Sequence, residues 1–146
     1  MAADRTGKAT WQGDLMSGSG EIQEAPSGAF GPLQVTWAAR AEEDHGGKTS
    51  PEELISAAHA ACFAMALSNT LAKEGHAPEL LETSATLTFV PGEGITKSAL
   101  TVVGVVPGID EETFVRAAET AKDGCPVSGA LKGNVELTLD ARLIAE

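Results

Sequence analysis

The chain has 146 residues, 42% of them hydrophobic, enough for one ordinary domain to bury a core without disulfides or a structural metal. Four Phe, two Trp and no Tyr make that core aliphatic and alanine-rich. A formal net charge of −11 argues against unspecific binding to nucleic acid or to an anionic membrane surface, because like charges repel.

The start, Met1 to Trp11, has no apolar stretch of the kind a secretory signal needs, and the longest nearly apolar run, Ala57 to Leu67, is short for a bilayer. A cytoplasmic protein without a membrane role is therefore expected. Structural disulfides are rare in that compartment, so Cys62 and Cys125 are either buried free thiols or redox-active ones.

Residues 7–15 read as a short strand, and Ser17-Gly18-Ser19-Gly20 as a turn. Glu21 to Ala25 would return as a second strand. A third is expected from Leu33 to Arg40, where Leu33, Val35 and Trp37 alternate with Gln34, Thr36 and Ala38. A polar loop, Ala41 to Ser50, leads into a long helix. Ser50 and Glu53 have capping-box spacing, Pro51 suits the first helical position, and Gly75 is the natural stop. The helix would hold about 24 residues and run roughly 36 Å. Leu54, Ala58, Cys62 and Met65 share one face, and Ile55, Phe63, Ala66 and Leu67 widen it, as in a helix covered on several sides.

Leu80 to Val90 and Ile95 to Val106 read as a hairpin around Pro91-Gly92-Glu93-Gly94, with Leu100, Val102 and Val106 inward. Asp110 should cap a helix from Glu111 to Lys122, with Phe114, Val115, Ala118 and Ala121 buried. Gly124 closes it, and Cys125 then stands at the N-cap of one more helical turn. Asn134 to Ile144 is the last strand. The order βββ-α-ββ-α-β has no βαβ rhythm, so the expected fold is α+β with mainly antiparallel sheet in one domain, residues 1–146.

The chemistry centres on the two thiols. Cys62, in mid-helix among alanines, gains nothing from a helix N-terminus, and burial raises its pKa. To act as a nucleophile it needs a cation, and Arg40 is the one that the strand-loop-helix layout leads toward this helix. Glu52 lies ten residues from Cys62 on the same helix, roughly 15 Å along the axis. It is either a surface acid that complements the helix dipole or a residue that serves the thiol of a second copy. Cys125 differs, because an N-cap position lowers a thiol's pKa. Two unlike thiols could cooperate, one being oxidised and the other closing a disulfide. Metal binding by Cys62, His59, Cys125, His45 and His76 competes, but no second paired-ligand motif supports it. His59 fits better as a packed or hydrogen-bonded interior residue.

Pro51-Glu52-Glu53-Leu54-Ile55, Ala57-Ala58-His59-Ala60-Ala61-Cys62-Phe63 and Met65-Ala66-Leu67-Ser68 together resemble the central helix of the OsmC family. Gly7 to Gly13 with Trp11, Pro107-Gly108-Ile109-Asp110, and Ala121-Lys122-Asp123-Gly124-Cys125-Pro126-Val127-Ser128 agree in order. The resemblance is to the OsmC branch rather than to the organic hydroperoxide resistance (Ohr) branch. It implies a thiol-dependent peroxidase for organic hydroperoxides, with no cofactor and no metal. Cys62 would attack the peroxide and become a sulfenic acid, and Cys125 would close a disulfide with it. An external dithiol, lipoylated or thioredoxin-like, would then reduce that disulfide. Arg40 and Glu52 would bind and polarise the peroxide, in an intertwined homodimer with sites at its interface. Phe63, Met65 and Phe30 are candidate apolar walls. The alternative is a redox-sensing or small-ligand-binding module whose thiols react without turnover.

Overall fold

The computed structural model describes residues 2–144, which form two compact units divided between Pro51 and Glu52. The first holds a three-stranded antiparallel sheet in the order β1 (Ala9–Gln12), β2 (Ser19–Ile22), β3 (Leu33–Val35). The third strand is shorter than its alternation suggests. Thr36 ends it by capping a short helix, α1 (Trp37–Ala41), its hydroxyl accepting from the Ala39 N–H at 3.1 Å. Three alanines in that helix, Ala38, Ala39 and Ala41, favour it, and once Thr36 satisfies a free N–H the helical path is the cheaper one. Arg40 therefore stands in the last turn of a helix, not at the end of a strand.

The second unit is built around α2 (Pro51–Lys73), whose residues from Glu52 onward belong to it. Its start and stop agree with the sequence signals. At the C-terminus the His76 N–H reaches Leu71 O at 2.9 Å and the Gly75 N–H reaches Ala72 O at 3.0 Å, with Gly75 at φ 87°. That nested pair is a Schellman motif, and its left-handed residue is where glycine carries no Cβ penalty. The buried stripe is His59, Phe63, Leu67 and Leu71. The expected face fares differently, since Met65 is 74% exposed and Ala58 is exposed. Over its full length α2 is long and apolar enough to cross a membrane by composition alone, yet its stripe packs into a protein core.

That core joins α2 to β4 (Leu80–Val90), β5 (Gly94–Val105), α3 (Glu111–Gly124) and β6 (Glu136–Leu143). Leu100, Val102 and Val106 point inward as expected, and α3 buries Phe114, Ala117, Ala118 and Ala121, with Ala117 in the place expected of Val115. Asp110 caps α3 through the Thr113 N–H at 2.8 Å. The sheet order is β4-β5-β6, with β4 and β5 antiparallel. The β5–β6 pair is parallel, the one exception among the paired strands of a mainly antiparallel arrangement. Its cause is the connection: α3 and a short helix, α4 (Pro126–Leu131), carry the chain back across, so β6 enters from the same end as β5.

Gly104 lets α3 sit close to the sheet. A Cβ there would lie 2.6 Å from the Phe114 ring, which is itself fully buried. Gly104→Ala is expected to destabilise by about 1–3 kcal/mol through overpacking, read as a lower urea midpoint at unchanged m-value.

Candidate active site

Cys125 ends α3 and begins α4 in one residue. Pro126 excludes helical backbone from the residue before it, and Cys125 is accordingly extended, at φ −67° and ψ 127°. Its N–H bonds Ala121 O at 2.9 Å, and its carbonyl accepts from the Gly129 N–H at 3.0 Å. The break between two helices thus holds the thiol in the interior, where it is 1% exposed. Cys62, half-buried on α2, meets it there, and each thiol acts on the acidity of the other.

Their acidities are pushed apart. Burial raises the Cys62 thiol, and its hydrogen bond to Cys125 and the repulsion of charge there raise it further, against one favourable contact from the Val127 N–H. Burial also opposes ionisation of Cys125. The polar groups around the sulfur, the Cys62 thiol, the Ser128 N–H and hydroxyl and the Val127 N–H, outweigh it, and Cys125 ends below the ordinary thiol value. Of the two, Cys125 is the thiol whose surroundings favour the anion.

His59 lies one turn before Cys62 on α2 and is fully buried. Its Nδ1 is 2.7 Å from Ser98 Oγ on β5, and its Nε2 is 2.8 Å from Ser128 Oγ on α4. Both nitrogens are engaged, which leaves neither for a metal ion. Desolvation holds the ring below the usual imidazole range. A folded-state value below the unfolded one means that the unfolded chain binds the extra proton. The stabilisation is thus present above the unfolded value of 6.5 and lost as pH falls toward the folded one. Thermal melting at pH 7.5 and pH 5.0 (chosen to lie above carboxylate titration) should show a lower Tm at pH 5.0, and His59→Gln should flatten that dependence.

Glu52, in the first turn of α2, is only 7% exposed, so it is not a freely solvated surface acid. The helix is continuous from Glu52 to Cys62, which keeps them about 15 Å apart along its axis. Arg40, half-buried in the first unit, borders a cavity of about 410 Å³ whose walls include Trp11, Leu15, Ile22, Val35 and Trp37. The cavity is mostly apolar with one guanidinium at its wall, a setting for an organic molecule that carries a polar group. Phe63 is fully buried and packs in the core cluster of the second unit.

Sequence reading did not find Ser98 and Ser128. A signal existed for each. Ser98 interrupts the inward row Ser98-Leu100-Val102 with a polar residue, and Ser128 stands three residues after Cys125, the spacing of an N-cap and its N3 partner.

The OsmC-like protein family model matches residues 44–140. The chain belongs to the OsmC-like family. It is 42% identical to peroxiredoxin OsmC of Escherichia coli (strain K12), covering 98% of this chain and 99% of that protein. It is 32% identical to the organic hydroperoxide resistance protein OhrB of Bacillus subtilis (strain 168), over 64% of this chain and 70% of OhrB. The crystal structure of OhrB superimposes with a TM-score of 0.63 at 26% identity, covering 94% of this chain and 98% of that one. A Legionella pneumophila organic hydroperoxide resistance protein OsmC shares the fold, with a TM-score of 0.67 at 24% identity and coverage of 97% and 99%.

Proposed function

We propose that this OsmC-like protein is a thiol peroxidase that reduces organic hydroperoxides to alcohols. The observation that carries the reading is the meeting of two free thiols, half-buried Cys62 and buried Cys125, whose surroundings push their acidities apart. The names of its relatives, a peroxiredoxin and organic hydroperoxide resistance proteins, point the same way.

In the resting pair Cys125 is the thiolate and Cys62 keeps its proton. A proton hop between the sulfurs makes Cys62 the thiolate, and the Arg40 guanidinium is the cation assigned to favour that state. The Cys62 sulfur attacks the terminal peroxide oxygen, an S–O bond forms, the O–O bond breaks, and the departing alkoxide takes the proton from Cys125. This leaves Cys62 as sulfenic acid and Cys125 as the thiolate needed next. Cys125 attacks the Cys62 sulfur, an S–S bond forms, the S–O bond breaks, and hydroxide leaves to be protonated to water. An external dithiol, lipoylated or thioredoxin-like, reduces the disulfide to two thiols. No cofactor and no metal enters these steps. The cavity beside Arg40 takes the organic group, and apolar walls favour alkyl over hydrogen peroxide by desolvation.

Residues 1–146 act here as one OsmC-like domain in a cytoplasmic homodimer. Glu52 serves the thiol of the other copy and orients its peroxide-binding Arg40. What supports the dimer is α2, which separates Glu52 from Cys62 and leaves Met65 open. Steady-state reduction of cumene hydroperoxide with a dithiol donor tests the activity. Turnover that scales with reductant supports it, whereas one stoichiometric oxidation independent of reductant would mark a sensing module and sink the enzyme reading.

A further inference from the structure

The hydrogen bonds of His59 reach beyond core packing. Nδ1 meets Ser98 Oγ at 2.7 Å and Nε2 meets Ser128 Oγ at 2.8 Å, and all three side chains are buried. Ser128 stands at N3 of α4, whose N-cap is Cys125, and its hydroxyl and N–H are among the groups that lower the Cys125 thiol. The four groups form one line from β5 through α2 to the α3–α4 junction: Ser98, His59, Ser128, Cys125.

Counting protons along that line leaves two arrangements. A neutral imidazole has one N–H and one bare nitrogen, and each serine has a single O–H. Burial disfavours the doubly protonated ring. If Nδ1 carries the hydrogen, it donates to Ser98, and Ser128 must spend its only proton on Nε2, leaving none for Cys125. If Nε2 carries it, Ser98 donates to Nδ1, His59 donates to Ser128, and the Ser128 hydroxyl is free to donate to sulfur. A thiolate is acceptor-only, so only the second arrangement satisfies it.

We propose that His59 is a positioning residue for the thiol pair: Ser98 holds it as the Nε2–H tautomer, and it turns the Ser128 hydroxyl onto the Cys125 sulfur. It touches neither peroxide nor sulfur and acts through Ser128. The other groups that act on Cys125 are Cys62 from α2 and the N–H groups of Val127 and Ser128 from α4. The charged residues at the end of α3 engage one another, Lys122 lying 3.2 Å from Glu119 and 4.0 Å from Asp123. On the peroxidase reading, on which this consequence rests, the line readies Cys125 to close the disulfide once Cys62 is oxidised.

The test needs no peroxide, so it stands apart from that reading. Thiolate absorbance near 240 nm is followed against pH in reduced full-length Cys62→Ser protein, where Cys125 is the single thiol. Adding Ser128→Ala is expected to raise the midpoint by about one to two pH units, the size of a lost hydrogen bond to a charged group. Adding His59→Phe should shift it the same way, and His59→Gln, whose amide can still donate to Ser128, should recover part of the shift. Ring-nitrogen chemical shifts of the native protein should report the Nε2–H tautomer, a readout that remains if His59→Phe does not fold. An unmoved midpoint in Ser128→Ala, or the Nδ1–H tautomer in the native protein, overturns the proposal. Loss of peroxide turnover with both results intact would instead strike the enzyme reading.

Discussion

Cys62→Ser is expected to abolish peroxide turnover, a loss on the order of 10⁴-fold or more, while Cys125→Ser keeps one round of reduction. The asymmetry follows from what each sulfur does. Removing an attacking nucleophile removes the covalent route altogether, and what remains is only the binding contribution of the surroundings. Removing Cys125 leaves attack on the peroxide possible but takes away the closing thiol. Cys62 should then accumulate as sulfenic acid, one oxygen atom heavier by intact mass, and trappable by a sulfenic-acid reagent. Native protein given one equivalent of cumene hydroperoxide should instead lose two hydrogens to an internal disulfide. Because burial raises the Cys62 thiol and only its anion attacks, the single-turnover rate should climb with pH through the Cys62 titration. Cys62→Ser protein that keeps native turnover would end the mechanism.

The parts of the fold that local chemistry decides were legible in the residues. Ser50-Pro51 and Gly75 bracket α2, Asp110 opens α3, and the Pro91–Gly94 turn separates β4 from β5, each by a cap or a backbone preference confined to a few residues. The N-cap position of Cys125 was legible for the same reason, since Gly124 and Pro126 flank it. Where two local signals competed, the pattern misled: Leu33, Val35 and Trp37 alternate like a strand, yet Thr36 caps a helix among them. The parallel pairing of β5 with β6 lies beyond local reach, because it depends on where the α3–α4 crossover delivers the chain. So does the line of hydrogen bonds through His59, whose partners stand 39 and 69 residues away along the chain. That the alanine-flanked histidine would be interior and hydrogen-bonded could be read from the sequence. Which hydroxyls it meets could not, because that follows from how α2, β5 and α4 pack.

Met65→Glu is expected to convert the protein to monomers and to lower turnover by about 100-fold while leaving the fold of the second unit in place. Met65 is 74% exposed, so a carboxylate there costs the unit's own core nothing. The side chain nevertheless belongs to an apolar stretch of α2 that a single chain leaves open, next to Leu80, which is 50% exposed. On the proposed homodimer a second copy covers this surface, and a carboxylate buried there without a partner would cost more than the contact gains. The activity should follow the assembly for a geometric reason. A rigid helix holds Glu52 about 15 Å from the thiol of its own chain, far outside contact, so on the proposed shared site a monomer would have each half but no complete one. Misplacement of an orienting group by even an ångström costs on the order of 100-fold. Sedimentation gives the mass, far-UV circular dichroism the fold, and cumene hydroperoxide reduction the activity. Mixing Cys62→Ser with Glu52→Ala protein sharpens the outcome. If sites are shared, some mixed dimers carry one intact Glu52–Cys62 combination, and activity returns to a fraction of native from two inactive parents. Monomers with native turnover, or inactive parents that stay inactive together, would refute the shared site.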